Sequence, residues 1–368
     1  MPSAKAKMSS LLHRFTSFGP GTPSDPNALT PRPDGFHTAP KAPQLFPPTD
    51  PNIDGDACLH DCATCSIHYP RKFRIDEDDA LYGQIKGWSR HVLVATGKTD
   101  WVRDVEDEKG SVMEALGKHA SAVEGGRLMV SASNISVPEW SSGEGEGKNG
   151  IYGKDRPTRV VLLPAFQILE GVTPRSTPDV ITSIINPAPT NLQPLSSTTT
   201  PPTSLALPEG VSLTSCPHKT LILLCSQATR DARCGQSAPL LYKELARHLR
   251  PLGLFRNHDD DRPGGVGIYF ISHVGGHKYS ANMMVYRRST SSGSGNGNGN
   301  GHGGNKEPGE KEQGGKGEGE AAQCIWLARV RPEDCENIVR YTVLEGKVVK
   351  PERQLRGGFD RERGIVSW

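Results

Sequence analysis

The chain has 368 residues, with 43 basic and 41 acidic side chains; a formal net charge of +2 gives no general pull toward nucleic acid or an anionic membrane. Hydrophobic residues make up 35%, and 41 Gly with 30 Pro account for about a fifth, so part of the length reads as linker rather than core. No apolar run approaches the ~20 residues of a spanning helix, no signal-peptide pattern occurs, and eight cysteines without one read as reduced thiols or metal ligands.

Residues 1–51, rich in Pro, Ser and Thr, are expected to be a disordered N-terminus. Lys5, Lys7 and Arg14 precede the first acidic residue, Asp25, around the short apolar SSLLHRF. That composition suits a mitochondrial presequence and equally a basic tail with no address. An N-terminal α/β domain is expected over 52–172. It opens on CLHDCATCSIHYP, where Cys58, Cys62 and Cys65 are spaced C-x3-C-x2-C and His68 follows. Thiols this dense suit zinc or a redox pair, or are incidental to the surface. Strands are expected at 91–96, 127–133 and 160–166 and a helix over 105–123, with no paired Cys or His at the strand ends. His91 and Trp101 read as packing residues. SSGEGEGKNG (141–150) is a Gly-rich insertion without phosphate-loop spacing.

Pro, Ser and Thr dominate 173–210, the expected interdomain linker. A second domain is expected over 211–368. KTLILLCS reads as a buried strand, and 237–249 as an amphipathic helix with Leu240, Leu241, Leu245 and Leu249 at helical spacing. Strands follow at 265–272, 282–286 and 325–330, and a helix at 332–344. Residues 289–320 are almost wholly Gly, Ser, Asn, Lys and Glu; they cannot bury a core and are expected to loop out. Strand–helix–strand–strand–strand–helix is the order a thioredoxin-like fold needs.

The chemistry concentrates in this second half. CSQATRDARCG holds Cys225 and Cys234 as C-x8-C, and ISHVGGHKYSANMMVY holds His273 and His277 as H-x3-H. Each pair follows a strand-like run, so the four form a candidate metal site. Gly275 and Gly276 between the histidines favour a loop that lets backbone approach a bulky centre. Cys2His2 is first a zinc set, although zinc fingers space their cysteines more closely. The alternatives are no metal at all, or a [2Fe–2S] cluster with two Cys and two His, the ligand count of a Rieske centre without its C-x-H and C-x-x-H boxes.

LLCSQATRDARCGQSAPLLYKEL, ISHVGGHKYSANMMVY and IWLARV, together with LYGQIKGWSRHVLVATGKTDW (81–101), resemble the sucrase/ferredoxin-like family of thioredoxin-like ferredoxins, in particular a fungal group within it. The resemblance implies a [2Fe–2S] cluster on Cys225, Cys234, His273 and His277. It implies electron transfer or redox control, with redox partner proteins and the iron–sulfur assembly machinery as partners, rather than an enzyme with its own substrate pocket. Gln227-Ala228 and Leu327-Ala328 depart from the family pattern. Arg230 and Arg233, between the cysteines, and Lys278, beside His277, are candidates for sulfur or partner contacts. Two rival functions are a thiol–disulfide protein using Cys58, Cys62 and Cys65, and a zinc-stabilised interaction module using the four ligands. The last residues, Val366-Ser367-Trp368, resemble the tail tripeptide by which cytosolic iron–sulfur proteins are captured for cluster assembly, the alternative being a Trp folded onto the domain. Mitochondrial and cytosolic placement both remain expectations.

Overall fold

The computed structural model describes residues 27–137, 152–195, 207–289 and 319–368. The presequence-like stretch before residue 27, the insertion at 141–150 and nearly all of 289–320 lie outside them.

The strands in chain order are β1 (Thr30–Pro31), β2 (His37–Thr38), β3 (Arg90–Ala95), β4 (Leu128–Ser133), β5 (Thr158–Leu163), β6 (Gln167–Val172) and β7 (Ser212–Ser215). They continue as β8 (Thr220–Cys225), β9 (Phe255–Arg256), β10 (Val266–Ile271), β11 (Met283–Arg288), β12 (Ala321–Leu327), β13 (Leu355–Asp360) and β14 (Ile365–Val366). Four helices matter to the architecture: α1 (Val112–Lys118), α2 (Thr177–Val180, running on through Ile181–Ile185), α3 (Ala232–Leu249) and α4 (Cys335–Asn337, running on through Ile338–Val343). No helix among the described residues is long and apolar enough to cross a membrane.

All strands belong to one sheet, ordered β1-β2-β14-β13-β12-β11-β8-β10-β4-β3-β5-β6-β7, with β9 beside β10. Two halves within it share one connectivity. β8 and β10 are parallel across the α3 crossover, and β11 and then β12 add antiparallel on the other side of β8. Likewise β3 and β4 are parallel across α1, with β5 and then β6 antiparallel beyond β3. Each half then ends in a helix, α4 or α2. The halves meet edge to edge where β10 and β4 pair antiparallel at Ile271 and Ser133.

The sequence explains the centre of each half. TLILLC in β8 and RHVLVA in β3 are buried at every position, as strands covered on both faces must be. Asp231 caps α3 by accepting from the Arg233 backbone N–H, so the helix begins at Ala232, five residues before the expected start at 237. Leu241, Leu245 and Leu249 then pack with Ile222 and Leu224 of β8 and with Ile338 and Val343 of α4.

Several expectations change. Residues 27–51 are not disordered: β2 pairs parallel with β14, and Phe36, Leu45 and Phe46 are buried. Three apolar anchors outweigh a Pro-rich average composition. The linker boundary also moves, because 173–195 is folded and α2 buries Val180, Ile181, Ile184 and Ile185 in the core of the N-terminal half. β6 was not anticipated. The helix expected over 105–123 is interrupted at Gly110 (φ +71°) and restarts at Ser111, whose side chain accepts from the Glu114 N–H. The two halves are therefore joined by the sheet itself, rather than hung on a linker.

Candidate metal centre

Three element ends build the site. β8 stops at Cys225, whose N–H donates to Asn282 O (3.2 Å). Cys234 lies in the first turn of α3, its N–H donating to Asp231 O (3.0 Å). β10 stops at Ile271, and the chain turns back through Gly275 and Gly276 (φ +82° and +67°) between His273 and His277. That glycine pair is required by space as well as by φ: a Cβ on Gly276 would stand 2.5 Å from the Arg356 guanidinium. Arg356 in turn donates to Gly275 O (2.8 Å) and Asn282 Oδ1 (3.0 Å) and lies over the Trp326 ring, pinning the loop.

Ligand atoms of Cys225, Cys234 and His273 all lie within 4.8 Å of one another, with Cys225 Sγ 3.5 Å from His273 Nδ1. Both cysteines are buried and His273 is partly so. His277 is exposed, and its ring centroid is 5.5 Å from that of His273. Three predicted ligands are thus gathered at the end of the sheet, and the fourth stands at its solvent side. The Cys225 thiol is pushed up by its contact with Cys234 and by burial; Cys234 is drawn below the usual thiol value by the Cys225 hydrogen bond, then by His273 and Ser280, whose Oγ is 3.6 Å away. Two buried sulfurs beside an imidazole are a donor set for a soft or borderline metal centre.

Sequence reasoning passed over Gln227, noted only as a departure from the family pattern. Its side chain is buried, accepts the His273 N–H at Oε1 (2.7 Å) and donates from Nε2 to Val102 O (2.5 Å). It thereby sets the start of the histidine loop and ties it to the N-terminal half. Position alone, two residues after Cys225, was the available signal.

The basic candidates are already paired. Arg230 meets Asp104 at 3.1 Å, Arg233 meets Asp231 at 2.8 Å, and Lys278 meets Asp79. Cys58 is buried, and Cys62 and Cys65 are half-buried; Cys62 lies against His248, near the far end of α3 and about 20 Å along the helix from Cys234. They do not join the site. The tail is not loose either. Val366 and Ser367 are buried, and the Trp368 indole stacks on Trp88 (centroids 4.7 Å apart), while its carbonyl oxygen accepts from Arg32 (2.5 Å) and Thr38 (3.0 Å). A cleft of about 800 Å³, which sequence reasoning did not foresee, opens beside His273 where β4 and β10 cease to pair; Arg127, Met129, Arg230, Val274 and Arg356 help to line it.

The family model described as sucrase/ferredoxin-like matches residues 81–357. The chain is 43% identical over 134 residues to actin patches distal protein 1 of Saccharomyces cerevisiae, covering 36% of this chain and 33% of that one. It is 29% identical over 133 residues to altered inheritance of mitochondria protein 32 of Clavispora lusitaniae (36% and 33%) and 29% over 132 residues to that of Debaryomyces hansenii (36% and 34%). The matched stretch therefore spans about a third of these relatives. No solved structure matches the chain.

Proposed function

The chain belongs to the sucrase/ferredoxin-like family, and from that premise we propose that it is an electron-transfer or redox-control protein whose Cys225, Cys234, His273 and His277 hold a [2Fe–2S] cluster. The observation that carries this reading is the convergence of two buried thiols and the His273 imidazole within 4.8 Å, with a second imidazole on the same Gly-Gly loop. The strand–helix–strand–strand–strand–helix connectivity supports treating the C-terminal half as thioredoxin-like.

When bound, such a cluster supplies one-electron transfer, at a potential that two neutral imidazoles raise relative to four thiolates. The residues of the chain set the conditions. Burial of Cys225 and Cys234 keeps water from the sulfurs, and Gln227 with Arg356 fixes the loop that presents His273. His277 faces solvent, so a redox partner reaches the centre at that imidazole. Arg230, Arg233 and Lys278 border the centre already neutralised by Asp104, Asp231 and Asp79, which weakens their pull on an acidic partner. The names of the relatives support a mitochondrial link, with mitochondrial and cytosolic pools both included in the proposal.

The test is the purified chain's visible spectrum with metal analysis. Red-brown protein with two irons per chain, lost in Cys225→Ser and Cys234→Ser, is the expected result. Colourless protein holding stoichiometric zinc at these positions overturns the proposal in favour of a zinc-stabilised module.

A further inference from the structure

We propose a second metal site, for a divalent cation of the zinc type, formed by Cys62, His248 and Glu336 with the carboxylate of Glu244 as fourth donor. It lies at the opposite end of α3 from Cys234 and does not depend on the cluster reading.

Cys62 Sγ, His248 Nε2 and a Glu336 carboxylate oxygen lie within 4.8 Å of one another, with Sγ to Nε2 at 3.9 Å. Glu244 Oε1 is 3.2 Å from the same Nε2. The Glu244 side chain is fully buried, and its Oε2 has no hydrogen-bond partner among the described residues. Arg247 pairs with Oε1, and the buried Oε2, beside a thiol and an imidazole, is left free to take a further cation.

A cationic nitrogen already sits among three of these donors, Cys62, His248 and Glu244. Arg247 Nη2 is 3.4 Å from Cys62 Sγ and 3.0 Å from His248 Nε2, and it contacts Glu244 Oε1. Nε2 faces both this guanidinium and the Glu244 carboxylate, so the ring nitrogen is turned toward the place a cation would occupy. The Arg247 side chain is 41% exposed and has room to swing into solvent. The Cys62 segment is positioned independently of it: Cys62 N–H donates to Glu333 O (3.0 Å), and Asn337 Nδ2 donates to His60 O (2.9 Å), fixing the cysteine loop against α4. One thiolate, one imidazole and two carboxylates suit four-coordinate zinc rather than calcium or magnesium, which prefer all-oxygen shells. Bound there, zinc clamps the segment around Cys62 to both α3 and α4.

The test uses the full chain carrying Cys225→Ser and Cys234→Ser, so that the first centre takes no metal, titrated with Zn²⁺ and, for its visible spectrum, Co²⁺. One equivalent is expected, with a tetrahedral cobalt spectrum and a charge-transfer band of one thiolate. Cys62→Ser and His248→Ala should each weaken binding at least tenfold. Arg247→Ala should bind more tightly, because the competing cation is gone, and zinc should restore any melting temperature that variant loses. Weaker binding in Arg247→Ala overturns the proposal, as does uptake unchanged by Cys62→Ser with His248→Ala. A two-thiolate band overturns the assignment of Glu244 by placing Cys65 in the set. Should Cys62→Ser fail to fold, the Arg247→Ala titration decides alone.

Discussion

The histidines are the residues whose replacement separates ligation from folding. His273→Cys or His277→Cys substitutes a thiolate for a neutral imidazole, adding negative charge to the centre, so a retained cluster should show a lower reduction potential and altered g-values. Voltammetry and EPR check this; a variant with the parent's potential removes that histidine from the ligand set. His91, a packing residue in both sequence and structure, behaves differently. Fully buried between Tyr286 Oη (3.1 Å) and Ser131 Oγ (2.9 Å), it has its pKa lowered from 6.5 to about 3, first by burial and then by Arg127. Between those values the unfolded chain binds a proton that the folded chain does not, so stability rises with pH across the window and is lost as pH falls below about 6.5. From pH 7 to pH 5 this amounts to about 2 kcal/mol. Denaturant titrations should show that loss in the parent and its disappearance in His91→Gln. All four proposed ligands were legible as spaced pairs. Gln227 was not, because its partners Val102 and His273 lie far from it in the chain and a buried amide has no periodic signature.

At the scale of elements, periodicity located what is apolar and continuous, namely β8, β10 and the leucine face of α3. It failed where a polar or Pro-containing segment carries a few deeply buried side chains. α2 sits in a stretch that reads as linker, yet its isoleucines complete the N-terminal core. Boundary detail also matters for the long insertion. The described residues resume at Gly319, and Glu320 is a buried partner of Arg361 (2.6 Å), so the dispensable portion is shorter than composition implies. Deleting residues 291–318 and bridging through a short Gly-Asn turn should leave iron content and melting temperature unchanged, since β11 and β12 are antiparallel neighbours that two to five residues can link. Loss of iron would mean that the deleted segment packs on the centre. Extending the deletion through Glu320 should lower the melting temperature by removing the carboxylate that neutralises the buried Arg361.

The whole molecule is held together at two seams that composition hid: the β10–β4 junction and the N-terminal segment locked by β14. The second gives Trp368 its place. Its ring stacks on Trp88, which itself meets Trp326 and Phe359 edge-on, and Arg32 and Thr38 hold the carbonyl oxygen. Space is tight there, for a Cβ on Gly87 would fall 2.3 Å from the indole. Capture of Val366-Ser367-Trp368 by an assembly factor would therefore require the indole to leave its stack and, for Val366, β14 to leave its pairing with β2 and β13. Packing alone predicts that Trp368→Ala costs about 2 kcal/mol, because a half-buried aromatic loses its stack and leaves a gap over Trp88. That loss should appear as a lower melting temperature in purified protein stripped of metal, where no assembly factor is present. The same variant, reconstituted chemically, should recover full iron content. An unchanged melting temperature combined with reduced iron occupancy in cells would instead assign the tail to cluster delivery, and the stack on Trp88 would be a resting position that the delivery complex opens.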